Sequence, residues 1–120
     1  MRMYSKTKQQ QQPTAERVRF NNMKIKLGNE IFPTKVSIIG YLSKHLQNAE
    51  LGDTIKEGEE LYWVLKDLLY KHPNSDKKIG VGLRNFFVGE PPVYPGRCFY
   101  IRRTDGSVED FSTKKPINQL

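Results

Sequence analysis

Cys98 is the only thiol in the chain, and His45 and His72 are its only imidazoles. Nucleophilic catalysis needs Cys98, or a serine, beside a histidine that a carboxylate orients. Nothing in the local sequence brings such a set together, and a lone cysteine more often serves as a small buried hydrophobe. A metal-dependent nuclease needs clustered carboxylates with a lysine nearby. Glu59 and Glu60 stand at a helix start, where the positive end of the helix dipole accounts for them. Glu109 and Asp110 are neighbours on a strand, so they point to opposite faces and cannot share one ion. One cysteine and two histidines also leave too few ligands for a disulfide framework or a His/Cys zinc site. The expectation is a protein without metal, cofactor or catalytic centre.

Charge is the stronger signal. Twenty Lys and Arg face 13 Asp and Glu, a formal net charge of +7. The excess is uneven: residues 1–24 carry +5, residues 25–73 carry −1, and residues 74–120 carry +3. In the C-terminal third, Lys77, Lys78, Arg84, Arg97, Arg102, Arg103, Lys114 and Lys115 lie among the aromatics Tyr100 and Phe111. Cations beside sheet aromatics suit single-stranded RNA, because the charges hold phosphates while rings stack on splayed bases. The competing reading is an ordinary solvated surface in which Arg102 pairs with Glu109 and Arg103 with Asp110, each pair contributing ~1 kcal/mol or less.

The elements that must position these residues follow from pattern. A chain of 120 residues has room for one domain and a tail. Residues 1–22 read as a basic, Gln-rich disordered tail, residues 23–116 as the domain, and 117–120 as its end. The run Gln9-Gln10-Gln11-Gln12-Pro13 cannot offset its ordering entropy. The tail has no apolar core of a secretory signal, and no run of ~18 apolar residues spans a membrane.

Met23 to Leu27 alternates with period two, Gly28-Asn29 supplies a turn, and Glu30 to Phe32 returns as a short hairpin. Thr34 caps a helix over Lys35–Asn48 with Ile39, Leu42 and Leu46 on its apolar face. A second helix runs from about Glu57 to Lys71 on Leu61, Val64, Leu65, Leu68 and Leu69, and His72-Pro73 stops it. Trp63 and Tyr70 share another face of that helix, either packed or as a docking surface. Ile79, Val81 and Leu83 alternate as a strand, and the phase slip to Phe86 and Val88 predicts a bulge near Arg84-Asn85. Cys98–Arg103 and Val108–Ser112 flank Asp105-Gly106 as a hairpin. A two-residue loop there sets Arg102 opposite Glu109, with Cys98, Tyr100, Arg102, Glu109 and Phe111 on one face. The fold class is therefore α+β: an N-terminal β-hairpin and two helices packed on a C-terminal antiparallel sheet of about three strands.

Taken in order, His72-Pro73, Lys78-Ile79-Gly80-x-Gly82, Arg97-Cys98-Phe99, Arg103-x-Asp105-Gly106 and Asp110-Phe111-Ser112 resemble the DCL-like family, named for "defective chloroplasts and leaves". The resemblance spans about Lys24 to Lys115. It implies a compact α+β domain tied to RNA metabolism, with plant members linked to ribosomal RNA maturation in plastids and others to RNA-directed transcription. It implies no catalytic activity. After Ser112 the family tends to continue with an aromatic, a basic pair and a cysteine. Here Thr113, Lys114-Lys115 and Pro116 stand, which removes one stacking contact and any two-thiol chemistry.

The expected function is a non-enzymatic RNA-binding or RNA-processing accessory domain. The alternative is a protein-interaction module for a polymerase or ribosome-assembly partner. The protein is expected to be a monomer that does not bind membrane and works in a reducing intracellular compartment, with cytoplasm, nucleus and organelle left open.

Overall fold

The computed structural model describes residues 24–120, so the tail over residues 1–22 lies outside the described residues. The chain folds as β1 (Ile25–Leu27), β2 (Glu30–Phe32), α1 (Lys35–Asn48), β3 (Thr54–Ile55), α2 (Glu60–Tyr70), α3 (Ser75–Ile79), β4 (Leu83–Gly89), β5 (Cys98–Arg103), β6 (Val108–Phe111) and α4 (Lys114–Asn118). The class is α+β. The strands form a two-stranded hairpin and a four-stranded antiparallel sheet in the order β3-β4-β5-β6.

The hairpin closes through Gly28-Asn29, which sets Leu27 opposite Glu30. Gly28 has φ +59°, and a Cβ there would stand 2.8 Å from the Trp63 Cβ, so position 28 needs glycine twice over. Its N–H donates to Asp67 Oδ2 at 2.6 Å, fastening the turn to α2. Thr34 caps α1 through a reciprocal box with Ser37, as its place before the apolar run predicts. The buried face of α1 is Ile38 and Leu42, while Ile39 is exposed. The stripe is turned by a residue because Tyr41, omitted from an aliphatic count, packs its ring against Phe32 at 5.2 Å between centroids.

Helix α2 starts at Glu60 rather than Glu57, because a turn fills 56–59 and Glu59 N–H donates to Lys56 O. Leu61, Tyr62, Val64, Leu65, Leu68 and Leu69 are buried along it. They meet the inner face of the sheet, where Ile55, Phe86, Val88, Phe99, Ile101 and Phe111 are buried. Truncating one of these phenylalanines to alanine costs ~3–5 kcal/mol. None of the described helices is long and apolar enough to cross a membrane.

Two features depart from the pattern reading. The sheet has four strands because β3, two residues long, enters between the long helices and pairs Thr54 with Phe87 and Ile55 with Phe86. Ile79 belongs to the short helix α3, and the strand begins only at Leu83. The alternation over 79–83 is broken by Gly80 and Gly82, at φ +54° and +134°, which turn the chain out of α3 into β4. The bulge predicted near Arg84-Asn85 is present: Leu83 pairs with Arg103 and Asn85 with Arg102, leaving Arg84 as the extra residue.

Candidate nucleic-acid interface

The register of the last hairpin decides which side chains share a face. Its loop is three residues, Thr104-Asp105-Gly106, not two: Gly106 N–H donates to Arg103 O and Arg103 N–H to Ser107 O. Gly106 takes the left-handed position at φ +89°, which a three-residue loop demands of its last residue. Asp105 Oδ1 accepts from the Ser107 N–H and hydroxyl, and those bonds hold its carboxyl below the ordinary range. The extra loop residue slips the pairing by one, so Arg102 opposes Val108, Ile101 opposes Glu109, Tyr100 opposes Asp110 and Phe99 opposes Phe111. A one-residue slip exchanges the faces of a whole strand. Phe111 therefore joins the core with Phe99 and Ile101, and Glu109 moves to the inner side.

That slip re-pairs the charges. Glu109 bridges Lys78, at 2.5 Å, and Arg103, not Arg102. Lys78 and Arg103 hold the Glu109 carboxyl below its ordinary range. Lys78 also donates to Asp110 O, and Arg103 Nε to Lys78 O, so the cluster clasps α3 to β5 and β6. Gly80 belongs to the same clasp, since a Cβ there would lie 3.1 Å from Arg103 Nε. Lys78, Gly80, Gly82, Arg103, Asp105 and Gly106 thus have architectural work in this corner.

His72 is buried, with its ring 6.3 Å from that of Phe111. Its Nδ1 accepts the Asn74 N–H at 2.9 Å, capping the turn through Pro73 into α3 rather than the carbonyls of α2. Burial, then Lys78 and Lys115, lower its pKa. Cys98 lies on the opposite side of the sheet, half-buried, with its thiol raised by burial and by Asp110. His72 and Cys98 thus face away from one another across the sheet.

The outer face of the sheet carries Thr54, Asn85, Phe87, Gly89, Cys98, Tyr100, Arg102, Val108 and Asp110. None of them is buried, so among the described residues this face is open. Phe87 and Tyr100, directly paired across β4 and β5, stack at 5.1 Å with an interplanar angle of 21°. The Arg102 guanidinium lies over the Phe87 ring, 4.5 Å from its centroid, and donates to Asn85 Oδ1. Tyr100 leans across Gly89, where a Cβ would meet the ring at 2.8 Å, and its hydroxyl donates to Glu90 O. Burial raises the Tyr100 pKa, so the phenol stays a neutral donor. A row of guanidinium, ring and ring along an open antiparallel sheet matches the requirements of a stacking platform for unpaired bases.

The remaining expected residues are spread around this row. Arg84 is exposed at the bulge, and Lys77 is exposed on α3. Lys114 borders a cavity of about 380 Å³ together with Cys98, Asp110 and Ser112. Lys115 lies at the His72 side, and Arg97 lines a cleft with Ser43, Leu46 and Gln47 of α1. Among the described residues, none of these five pairs with a carboxylate. They do not form one strip: Arg84 belongs to β4, Lys77 to α3, and Lys114 and Lys115 to α4, whereas Arg97 joins α1. Phe87 and Asn85 escaped the sequence reading. The predicted bulge held the clue, because putting Phe86 and Val88 inward turns Phe87 outward. Trp63 is half-buried beneath Gly28, and Lys66 lies over the rings of both Trp63 and exposed Tyr70.

Residues 44–117 match the family model described as "Protein of unknown function (DUF3223)". Protein EMBRYO DEFECTIVE 514 of Arabidopsis thaliana is 35% identical over 97 residues, covering 80% of this chain and 47% of that protein. Protein DCL, chloroplastic, of Solanum lycopersicum is 34% identical over 95 residues, covering 77% of this chain and 42% of that protein. The chain spans under half the length of these two relatives. DNA-directed RNA polymerase V subunit 1 of Arabidopsis thaliana is 34% identical over 68 residues, 56% of this chain but 3% of that subunit. The solution NMR structure of an uncharacterized protein from Rhodospirillum rubrum superposes with a TM-score of 0.68 at 35% identity, covering 77% of this chain and 86% of that one. With most of the described domain inside the matched region, the chain belongs to the DUF3223 family and counts the DCL and DCL-like proteins among its relatives.

Proposed function

We propose that the chain is a non-enzymatic RNA-binding accessory domain that lays single-stranded RNA across the open face of its four-stranded sheet. The row Arg102–Phe87–Tyr100 carries this reading. Bases stack on the free side of the Arg102 guanidinium and on the exposed parts of the two rings. Arg84 and Lys114 hold phosphates at the margins, with Lys77, Lys115, Arg97 and the basic tail adding long-range attraction. Lys78 and Arg103 contribute little to phosphate binding, because Glu109 already neutralises much of their charge. Likeness to a polymerase subunit and to DCL supports a setting in RNA metabolism, either ribosomal RNA maturation or association with an RNA polymerase. The chloroplastic name of the DCL relative makes a plastid the first compartment to test.

The experiment is fluorescence polarisation of labelled oligouridine. With two phosphate contacts, affinity falls about sevenfold between 50 and 200 mM salt. Phe87→Ala weakens binding about tenfold, the scale of one lost base stack. Arg102→Ala weakens it similarly, while Trp63→Ala leaves it unchanged. No retention at low salt, or a loss confined to Trp63→Ala, overturns the reading in favour of protein docking.

A further inference from the structure

Asp110 is hard to place in a surface that receives phosphates. Its carboxylate stands on the open face directly across from Tyr100, and it makes no ion pair among the described residues. Burial is the main cause of the raised pKa of Cys98 and Tyr100, and the Asp110 charge adds to both. Facing a phosphodiester it is repulsive. Facing a base edge that carries donors, it becomes a charge-assisted acceptor.

The cavity beside it gives such a base a seat. Its volume of about 380 Å³ lies in the range of small-ligand sites. Phe99, Phe111, Pro91 and Tyr94 are among the residues that line it, together with Asp110 and Lys114, whose charges are of opposite sign. Among the four RNA bases, only guanine presents two adjacent donors, N1–H and the N2 amine, with the O6 acceptor beside them. A carboxylate accepts both donors at once, and an ammonium suits O6. Adenine and cytosine each set a ring-nitrogen acceptor next to their single amine, which a carboxylate repels. Uracil offers one donor flanked by two carbonyls.

We infer that this cavity reads a guanine of the bound strand, with Asp110 accepting from N1–H and the N2 amine and Lys114 turning from the phosphate to donate to O6. The inference rests on the RNA reading above and adds base preference to it. The test measures binding of labelled U12 and of the same strand with one central uridine replaced by guanosine, adenosine, cytidine or inosine. The guanosine strand binds about tenfold tighter than the adenosine and cytidine strands, the scale of one bidentate base contact. Inosine, which lacks the N2 amine, falls between them. Asp110→Asn abolishes the preference yet still binds U12, which also certifies its fold. Equal binding of all strands by the native protein, or a preference that survives Asp110→Asn, overturns the guanine reading alone. Failure to bind any strand overturns the RNA reading with it.

Discussion

Replacing Glu109 with glutamine removes one charge and little else. The amide keeps the size of the side chain and an oxygen that can accept from Lys78 or Arg103. What is lost is neutralisation of two cations whose side chains are only 15% and 13% exposed. Breaking a buried ion pair costs ~3–5 kcal/mol, whereas an exposed pair contributes ~0–1 kcal/mol. Glu109 is itself 37% exposed, so solvent screens part of the loss and the expected cost is about 2 kcal/mol. For a domain of this size that lowers Tm by about 10 °C. Thermal melts by circular dichroism at pH 7 measure it. The sign of the pH dependence provides a second check. Lys78 and Arg103 lower the folded pKa of Glu109, so its stabilisation is present above the ordinary carboxylate pKa. It fades as pH falls through the lowered value, so the two proteins converge in strong acid. A difference below ~0.5 kcal/mol at pH 7, or one that does not close in acid, refutes the idea that this clasp holds α3 on the sheet.

His72 predicts a separate step at higher pH. Its folded pKa is lowered, so its contribution is full above about 6.5 and declines as pH falls toward the folded value, where Nδ1 must release the Asn74 N–H. Tm measured between pH 7 and pH 5 falls for the native protein, and His72→Gln flattens that limb. At Cys98, burial and the Asp110 charge keep the thiol protonated. Iodoacetamide labelling at pH 7.5, followed by mass spectrometry, runs about tenfold slower than with a free thiol. Asp110→Asn speeds it, and bound RNA slows it further.

The parts legible in the sequence were those that local chemistry dictates. Thr34 before an apolar run, Gly28-Asn29 between alternating stretches and Asp105-Gly106 in a hairpin each need only neighbours in the chain. The phase slip at Arg84-Asn85 also announced its bulge. What stayed hidden depended on partners far away. Whether the last loop holds two residues or three is settled by packing Phe111 into the core, and that choice exchanges Arg102 for Arg103 as the partner of Glu109. Helix α3 is five residues long, too short to show a period, and its grip on the sheet is Lys78 reaching Glu109. Strand β3 is two residues that pair only because β4 lies alongside. The basic residues were visible as a set, but their division into a clasp, an open-face group and an α1 cleft was not. Phe87 gained its meaning only when register placed it against Tyr100.

The most direct measurement is an NMR titration of the isotopically labelled protein with oligouridine. Resonances of Asn85, Phe87, Tyr100 and Arg102 shift together and in proportion to one another, while those of Trp63, Tyr70 and the β1–β2 hairpin hold still. Shifts gathered on α1 and α2 instead, or a spectrum indifferent to RNA at low salt, contradict an open sheet face that receives bases.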